Sequence, residues 1–273
     1  MQNHSVHPWH LCLSLWHRRQ LIWQMSKREV VSRYRGSVMG LLWSFFHPVF
    51  MLLIYTFVFS VVFQVKWGLG HSEGKTEFAI ILFAGLIIFN FFSEVINRAP
   101  ALILTNVNYV KKVMFPLEIL PVVTVGSALF HTLVSVLVLL CFEAIINQAV
   151  PLTALFLPII LLPLLIQALG FAWFLAALGV FLRDVGQTVG ILTTALLFLS
   201  PIFFPSTALP EALRPYLFLN PLTFIIEQTR GVLIWGIVPD WFGMAVYMLV
   251  SMMIAWAGYF WFQKTRKGFA DVL

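Results

Sequence analysis

Apolar residues run through this chain in stretches long enough to cross a lipid bilayer, separated by short polar segments that hold most of its charge. A hydrocarbon core of about 30 Å needs about 20 apolar residues in a helix. That ruler predicts six spans, at 40–63, 78–96, 117–141, 155–182, 189–204 and 241–262. The fifth is the weakest, because Pro201 and Pro205 interrupt its end, and Pro158 and Pro163 blur the start of the fourth.

The run 222–235 follows Asn220 and Pro221, a good helix start with Asn as N-cap and Pro at the first helical position. At about 21 Å it is too short to span, and it carries Glu227 and Arg230, which are costly at mid-bilayer. A crossing here would also make the span count odd. A short helix near 209–218 precedes it, so re-entrant helices are expected over about 205–236, capping one end of the bundle. Ahead of the first span, residues 16–34 predict an amphipathic interface helix. Ile22, Met25, Val30 and Tyr34 form its apolar face, and Arg18, Arg19, Lys27, Arg28 and Arg35 can reach anionic headgroups. The expected organisation is an N-terminal segment 1–39, a six-span all-α membrane domain 40–263, and a tail 264–273.

Composition strengthens this reading. The 273 residues are 60% hydrophobic and only 10% charged, whereas a soluble domain carries roughly 25% charged residues to cover its surface. The mean hydropathy of +0.92 therefore puts apolar atoms on the outside as well. A net charge of +6 suggests nucleic acid, but the basic residues sit between apolar runs and at the chain ends, so no nucleic-acid partner is expected. Thirteen of the 17 Lys and Arg fall in the N-terminal segment, around 98–112, at Arg183 and in the tail. Those regions lie on one side of a six-span chain, and the positive-inside rule makes that side, with both termini, cytoplasmic. Cys12 and Cys141 suggest neither a disulfide framework nor a zinc site. No signal peptide is expected, since the polar, basic first 39 residues are too long for an n-region.

Missing chemistry narrows the function further. There is no G-x-x-x-x-G-K-[ST] loop and no H-E-x-x-H or paired Cys/His set. No metal or cofactor is expected on this chain, and His4, His7, His10 and His17 read as surface residues. Glu94 and Glu118 fall near span ends, and only His131 and Gln167 lie deep, where His131 reads as an interhelical hydrogen-bonder. Neither a proton relay nor an acid–base pair emerges, so the energy source is expected on another chain. Aromatic residues are abundant, with 27 Phe, 10 Trp and 6 Tyr. Trp43, Phe46, Phe50 and Phe57 in the first span either stack on sugar faces along a path or pack against lipid.

Four motifs in order then carry a resemblance. They are KREVVSRYRGSVMGLLWSFFHPVF at 27–50, NVNYVKKVMFPLEILPVV at 106–123, FLRDVGQ at 181–187 and LNPLTFIIEQTRGVLIWG at 219–236. Together they resemble the polysaccharide-export permeases of ABC transporters, of the O-antigen (Wzm-like) kind, with teichoic-acid permeases as near relatives. Met39 stands where the first motif usually has Leu. The resemblance implies a homodimer in the bacterial inner membrane, bound to two copies of a separate ATPase that holds ATP and Mg. It also implies a cargo of undecaprenyl-diphosphate-linked glycan, moved outward. Asn106, Tyr109, Lys111, Lys112 and Phe115 would form the coupling segment at the ATPase, where the lysines meet acidic residues or phospholipid headgroups. Arg33 and Arg35 would attract the substrate diphosphate, and Pro205, Pro221, Glu227 and Arg230 would belong to an outer gate. Three alternatives stay open: a permease for teichoic acid, lipid or drug, an ATP-independent lipid carrier, and a membrane-embedded enzyme.

Overall fold

The computed structural model describes residues 8–58, 75–110, 115–212, 214–217 and 219–273, and no strand occurs among them. Two helices open the chain, α1 (Pro8–His17) and α2 (Arg19–Arg33). The single helix expected over 16–34 is therefore broken at Arg18, whose backbone (φ −100°, ψ 12°) is not helical. Ile22, Met25, Val30 and Tyr34 do share an inward face, as the periodicity predicts, but α2 presses it against the bundle rather than lipid. Trp16 on α1 and Trp23 on α2 are exposed instead, at 67% and 71%, and exposed tryptophans of this kind favour a membrane interface. The chain then turns into the first span through Gly36 (φ +86°) and Gly40 (φ +52°). Both are left-handed positions that cost glycine little.

The membrane helices follow as α3 (Trp43–Tyr55), α4 (Lys75–Arg98), the four-residue α5 (Val107–Val110), α6 (Ile119–Asn147), α7 (Leu157–Phe181) and α8 (Val185–Leu199). After them come a single turn α9 (Arg214–Leu217), then α10 (Thr223–Leu233), α11 (Trp241–Thr265) and a last turn α12 (Phe269–Val272). Among the described residues five stretches are long and apolar enough to cross a bilayer: Gly40–Val58, Glu77–Ala101, Ile119–Ile146, Leu152–Phe181 and Trp241–Gly268. The expected fifth span, 189–204, is shifted: its helix starts at Val185 and stops at Leu199. Its helix, α8, has 15 residues, about 22 Å long. Pro201 accounts for the stop, because a proline drives the preceding residue out of the helical region. Ser200 is extended, at φ −84° and ψ 149°.

α4 is the axis of the bundle. Of the apolar window in each span, 83% is buried in α4 against 17–39% in the others, as expected for a helix that is apolar all round. α7 and α11 interlock through two glycines. A Cβ on Gly258 would lie 2.0 Å from the Gly170 carbonyl oxygen, and one on Gly170 would lie 2.6 Å from Ala255 Cα. Small residues let membrane helices approach to backbone contact, which is where their packing energy comes from. The two deep polar residues that the sequence singles out, His131 and Gln167, each meet a tyrosine. Tyr247 on α11 hydrogen-bonds Gln167 on α7 at 2.6 Å, and Tyr34 lies 3.4 Å from His131 Nδ1 on α6. His131 thus bridges two elements, the role its position suggested.

Candidate functional site

Both chain ends gather at one end of the bundle, around Glu118. The sequence F-P-L-E places this carboxylate just before α6, and Trp173 Nε1 fixes the backbone there with a 3.0 Å bond to the Glu118 carbonyl oxygen. Arg18, between α1 and α2, donates to Oε1 at 2.8 Å, and Arg266, after α11, donates to Oε2 at 2.7 Å. Arg266 also donates to the Phe115 carbonyl at 3.0 Å. The side chain of Glu118 is only 8% exposed, so it holds two cations where water screens little. The residues after α11, within the expected tail 264–273, are held there too, with Phe269 fully buried.

A second network ties α2 to the end of α4. Arg33 donates to Glu94, Arg98 donates to both Glu94 and Glu29, and the Arg98–Glu94 contact is an i,i+4 pair within α4. Burial works against the charge on Arg33, but the hydrogen bond and charge of Glu94 outweigh it and hold its pKa above the ordinary arginine value. Both Arg33 and Arg35 are exposed, but Arg33 is held by Glu94.

Of the expected coupling residues, Tyr109 accepts a 2.9 Å bond from Arg28 and stacks on Phe115 with ring centres 4.2 Å apart. The Asn106 amide donates to the Leu102 carbonyl at 2.8 Å, which ends the preceding turn. Lys111 and Lys112 lie outside the described residues.

Trp43 and Phe50 on α3 and Phe57 in the turn that continues it are 40%, 51% and 60% exposed and recur every seven residues, so they line one outward face. Phe46 fills in between, its ring 6.2 Å from that of Phe50.

The segment between α8 and α11 packs far from Glu118, against the start of α4. Helix α10 starts at Thr223 with Leu222 as N-cap, two residues later than the Asn-Pro pair predicts. Asn220 has another use: its Oδ1 accepts from Leu222 N at 2.9 Å, and its Nδ2 donates to Ser200 Oγ at 2.8 Å, tying α10 to the end of α8. Pro221 stands outside the helix, where its carbonyl accepts from Tyr247 Oη at 2.5 Å. The helix expected near 209–218 reduces to the turn α9, although Arg214 closes the loop by donating to the Leu209 and Thr207 carbonyls, both at 3.0 Å. Glu227 is half-buried beside Arg214 and Thr223, around a cavity of about 90 Å³.

Arg230 is the residue whose setting the sequence left unexplained. It is 1% exposed. It donates to the carbonyls of Ile81 at 3.0 Å, Pro201 at 2.6 Å and Ile202 at 3.0 Å. The last two are carbonyls freed where α8 stops, and irregular backbone at this depth survives only when the protein supplies its partners. Gly85 makes the room, since a Cβ there would lie 2.7 Å from an Arg230 terminal nitrogen. A glycine opposite an arginine in an apolar helix pair was the one signal for this contact.

A bundle of bilayer-length helices, with an ion-pair network joining its N-terminal helices to the segment after α11, defines a multi-pass membrane protein. The family model of the ABC-2 type transporters matches residues 20–234, and the chain belongs to that family. It is 27% identical over 263 residues to the O-antigen export system permease protein RfbA of Myxococcus xanthus, covering 96% of this chain and 98% of that protein. It is 24% identical over 250 residues to the RfbA permease of Klebsiella pneumoniae, covering 91% and 93%. It is 26% identical over 250 residues to the polysialic acid transport protein KpsM of Escherichia coli, covering 88% and 91%.

Proposed function

We propose that this chain is the membrane-spanning subunit of an ATP-driven exporter that carries a lipid-linked polysaccharide, of the O-antigen kind, across the bacterial inner membrane. The observation that carries this reading is the family match over 20–234, combined with near full-length similarity to permeases named for O-antigen and polysialic acid. A sequence without a P-loop agrees with it: this chain makes the path and a separate ATPase supplies the work.

In this reading the chain pairs with a second copy and with two ATPase subunits, and ATP and Mg belong to the partner. Both termini face the cytoplasm, as the charge asymmetry favours. Helix α8 serves as the fifth of six crossings, completed by the irregular 200–205 stretch, and the re-entrant segment of about 205–236 closes the outer exit. The segment from Asn106 through Tyr109, Lys111 and Lys112 to Phe115 meets the ATPase. Its position beside the Glu118 network would carry movement there to α2, α6 and α11 together. Arg35, and Arg33 if it leaves Glu94, would draw in the diphosphate of the cargo. The aromatic face Trp43–Phe46–Phe50–Phe57 would line the sugar path, and Pro205, Pro221, Glu227 and Arg230 would frame the outer gate.

Co-expression with the neighbouring ATPase should give a complex that copurifies in detergent. Reversing Lys111 and Lys112 to Glu should cut recovery of the ATPase by at least fivefold, with the permease still accumulating. Full recovery of the reversed variant would remove these lysines from the interface.

A further inference from the structure

Between α2 and the end of α4 lies a cavity of about 560 Å³, within the range of about 300–1,000 Å³ that ligand pockets occupy. It sits at the margin of the second span, which ends at Ala101, the height of lipid headgroups. Its lining combines apolar Met25, Leu102, Leu120 and Val123 with polar and charged Arg28, Glu29, Asn97, Arg98 and Asn106. A cavity at headgroup level with both kinds of lining suits a molecule with a polar head and a lipid tail.

Its charges point to an anion. Among the described residues Arg28 meets no carboxylate, and its one side-chain hydrogen bond goes to the neutral Tyr109 hydroxyl at 2.9 Å. Arg98 faces the cavity from the other side, held by Glu29 and Glu94. Asn97 accepts from Thr193 with its Oδ1 at 3.0 Å, which leaves its amide N–H groups to donate into the cavity. Three donor side chains thus converge on one space from two helices, with Glu29 the one anion among the lining side chains.

We propose that this cavity binds the diphosphate group of a membrane-inserted lipid, with Arg28 and Arg98 as the paired cations and Asn97 as a further donor. The bound diphosphate takes Arg98 from Glu29, because it offers more acceptor oxygens and more charge for guanidinium to engage. Displacing Glu29 removes one of the two ion pairs that pin α2 to α4, so occupancy is passed to the surface helix. The inference deepens the export reading, on which its meaning for transport rests, but the site can be tested by binding alone.

The test uses the full chain in phosphatidylcholine nanodiscs and radiolabelled farnesyl diphosphate as the probe. Arg28→Gln and Arg98→Gln should each weaken binding at least tenfold, and Lys267→Gln, which removes an exposed tail charge, should not change it. Glu29→Gln should strengthen binding severalfold. It breaks the same ion pair as Arg98→Gln, so a merely structural role would make it a loss, and weakened or unchanged binding in Glu29→Gln overturns the proposal. Inorganic diphosphate should bind at least tenfold more weakly, as it cannot use the apolar lining residues, and equal affinity would overturn the assignment to a lipid. Phosphatidylglycerol at one lipid in five should leave the affinity within twofold, and a tenfold loss would make common anionic lipid the occupant and overturn the diphosphate assignment. A chain that binds the probe in this pattern yet exports no glycan would leave the site standing and sink only the transport reading.

Discussion

Replacing Arg230 by Leu should lower the yield of folded, monodisperse protein at least tenfold, measured by fluorescence-detected size-exclusion chromatography of the tagged chain. The substitution removes three charge-assisted hydrogen bonds, each worth about 1.5–3 kcal/mol and not additive. More seriously, it strands the carbonyls of Ile81, Pro201 and Ile202 in a site where the side chain that met them was 1% exposed. Arg230→Lys should recover only part of the yield, because an ammonium on a flexible stem cannot reproduce the planar fork that reaches three carbonyls at once. Gly85→Ala should be milder, since its Cβ meets the tip of the Arg230 side chain. The tip can shift, at the expense of its bond to Ile202. A normal yield for Arg230→Leu would mean that other groups satisfy those carbonyls and that Arg230 does not hold the 200–202 stretch against α4.

Gly258→Ala should be as damaging as Arg230→Leu, for a different reason. The new Cβ would lie 2.0 Å from a backbone carbonyl of α7, where no side chain can move aside. The helices would have to separate by about 1 Å, which forfeits much of the close packing that holds membrane helices together. The Trp173–Tyr259 contact, with ring centres 5.3 Å apart, rides on the same pair and would loosen with it. Gly186→Ala offers the contrast. A Cβ at Gly186 meets nothing within 4 Å, so the folded yield should not fall. Thermal unfolding in detergent would rank the variants, and a Gly258→Ala protein with an unchanged midpoint would contradict the interlock.

The legible part of this fold was whatever follows from single-residue hydropathy. Four of the six predicted spans reappear as long helices within a few residues, the first is followed as far as Val58, and the Ile22–Tyr34 face of α2 turns inward as its spacing requires. The fifth span shows the limit. Hydropathy carried it to Phe204, whereas the backbone yields at Ser200 because Pro201 acts on its predecessor. The Asn-Pro pair was read as a helix cap on local grounds, and tertiary bonding took both residues for other tasks. Arg230 was flagged as too costly for mid-bilayer, but its solution required knowing which carbonyls the break in α8 had freed. That is information about three distant segments at once.

The candidate site was legible in the same uneven way. Tyr109 and Phe115 do meet, and Arg33 lies where a headgroup residue would, although it is held by Glu94. The residues that the sequence did not single out as site residues are those whose meaning lies in pairing. Glu118 gathers Arg18 and Arg266 from positions 100 and 148 residues away, and Arg28 shares a cavity with Arg98. Charge at a span end says only that a residue avoids lipid. Which opposite charge it meets is decided by packing.

The central claim is that this chain provides a path and no engine. Sealed vesicles carrying it alone, its partner ATPase alone, or both, loaded in one leaflet with a fluorescent lipid-linked oligosaccharide, test that claim most directly. Label should reach the opposite leaflet only where both proteins and ATP are present. Movement in vesicles that hold this chain alone would contradict the account.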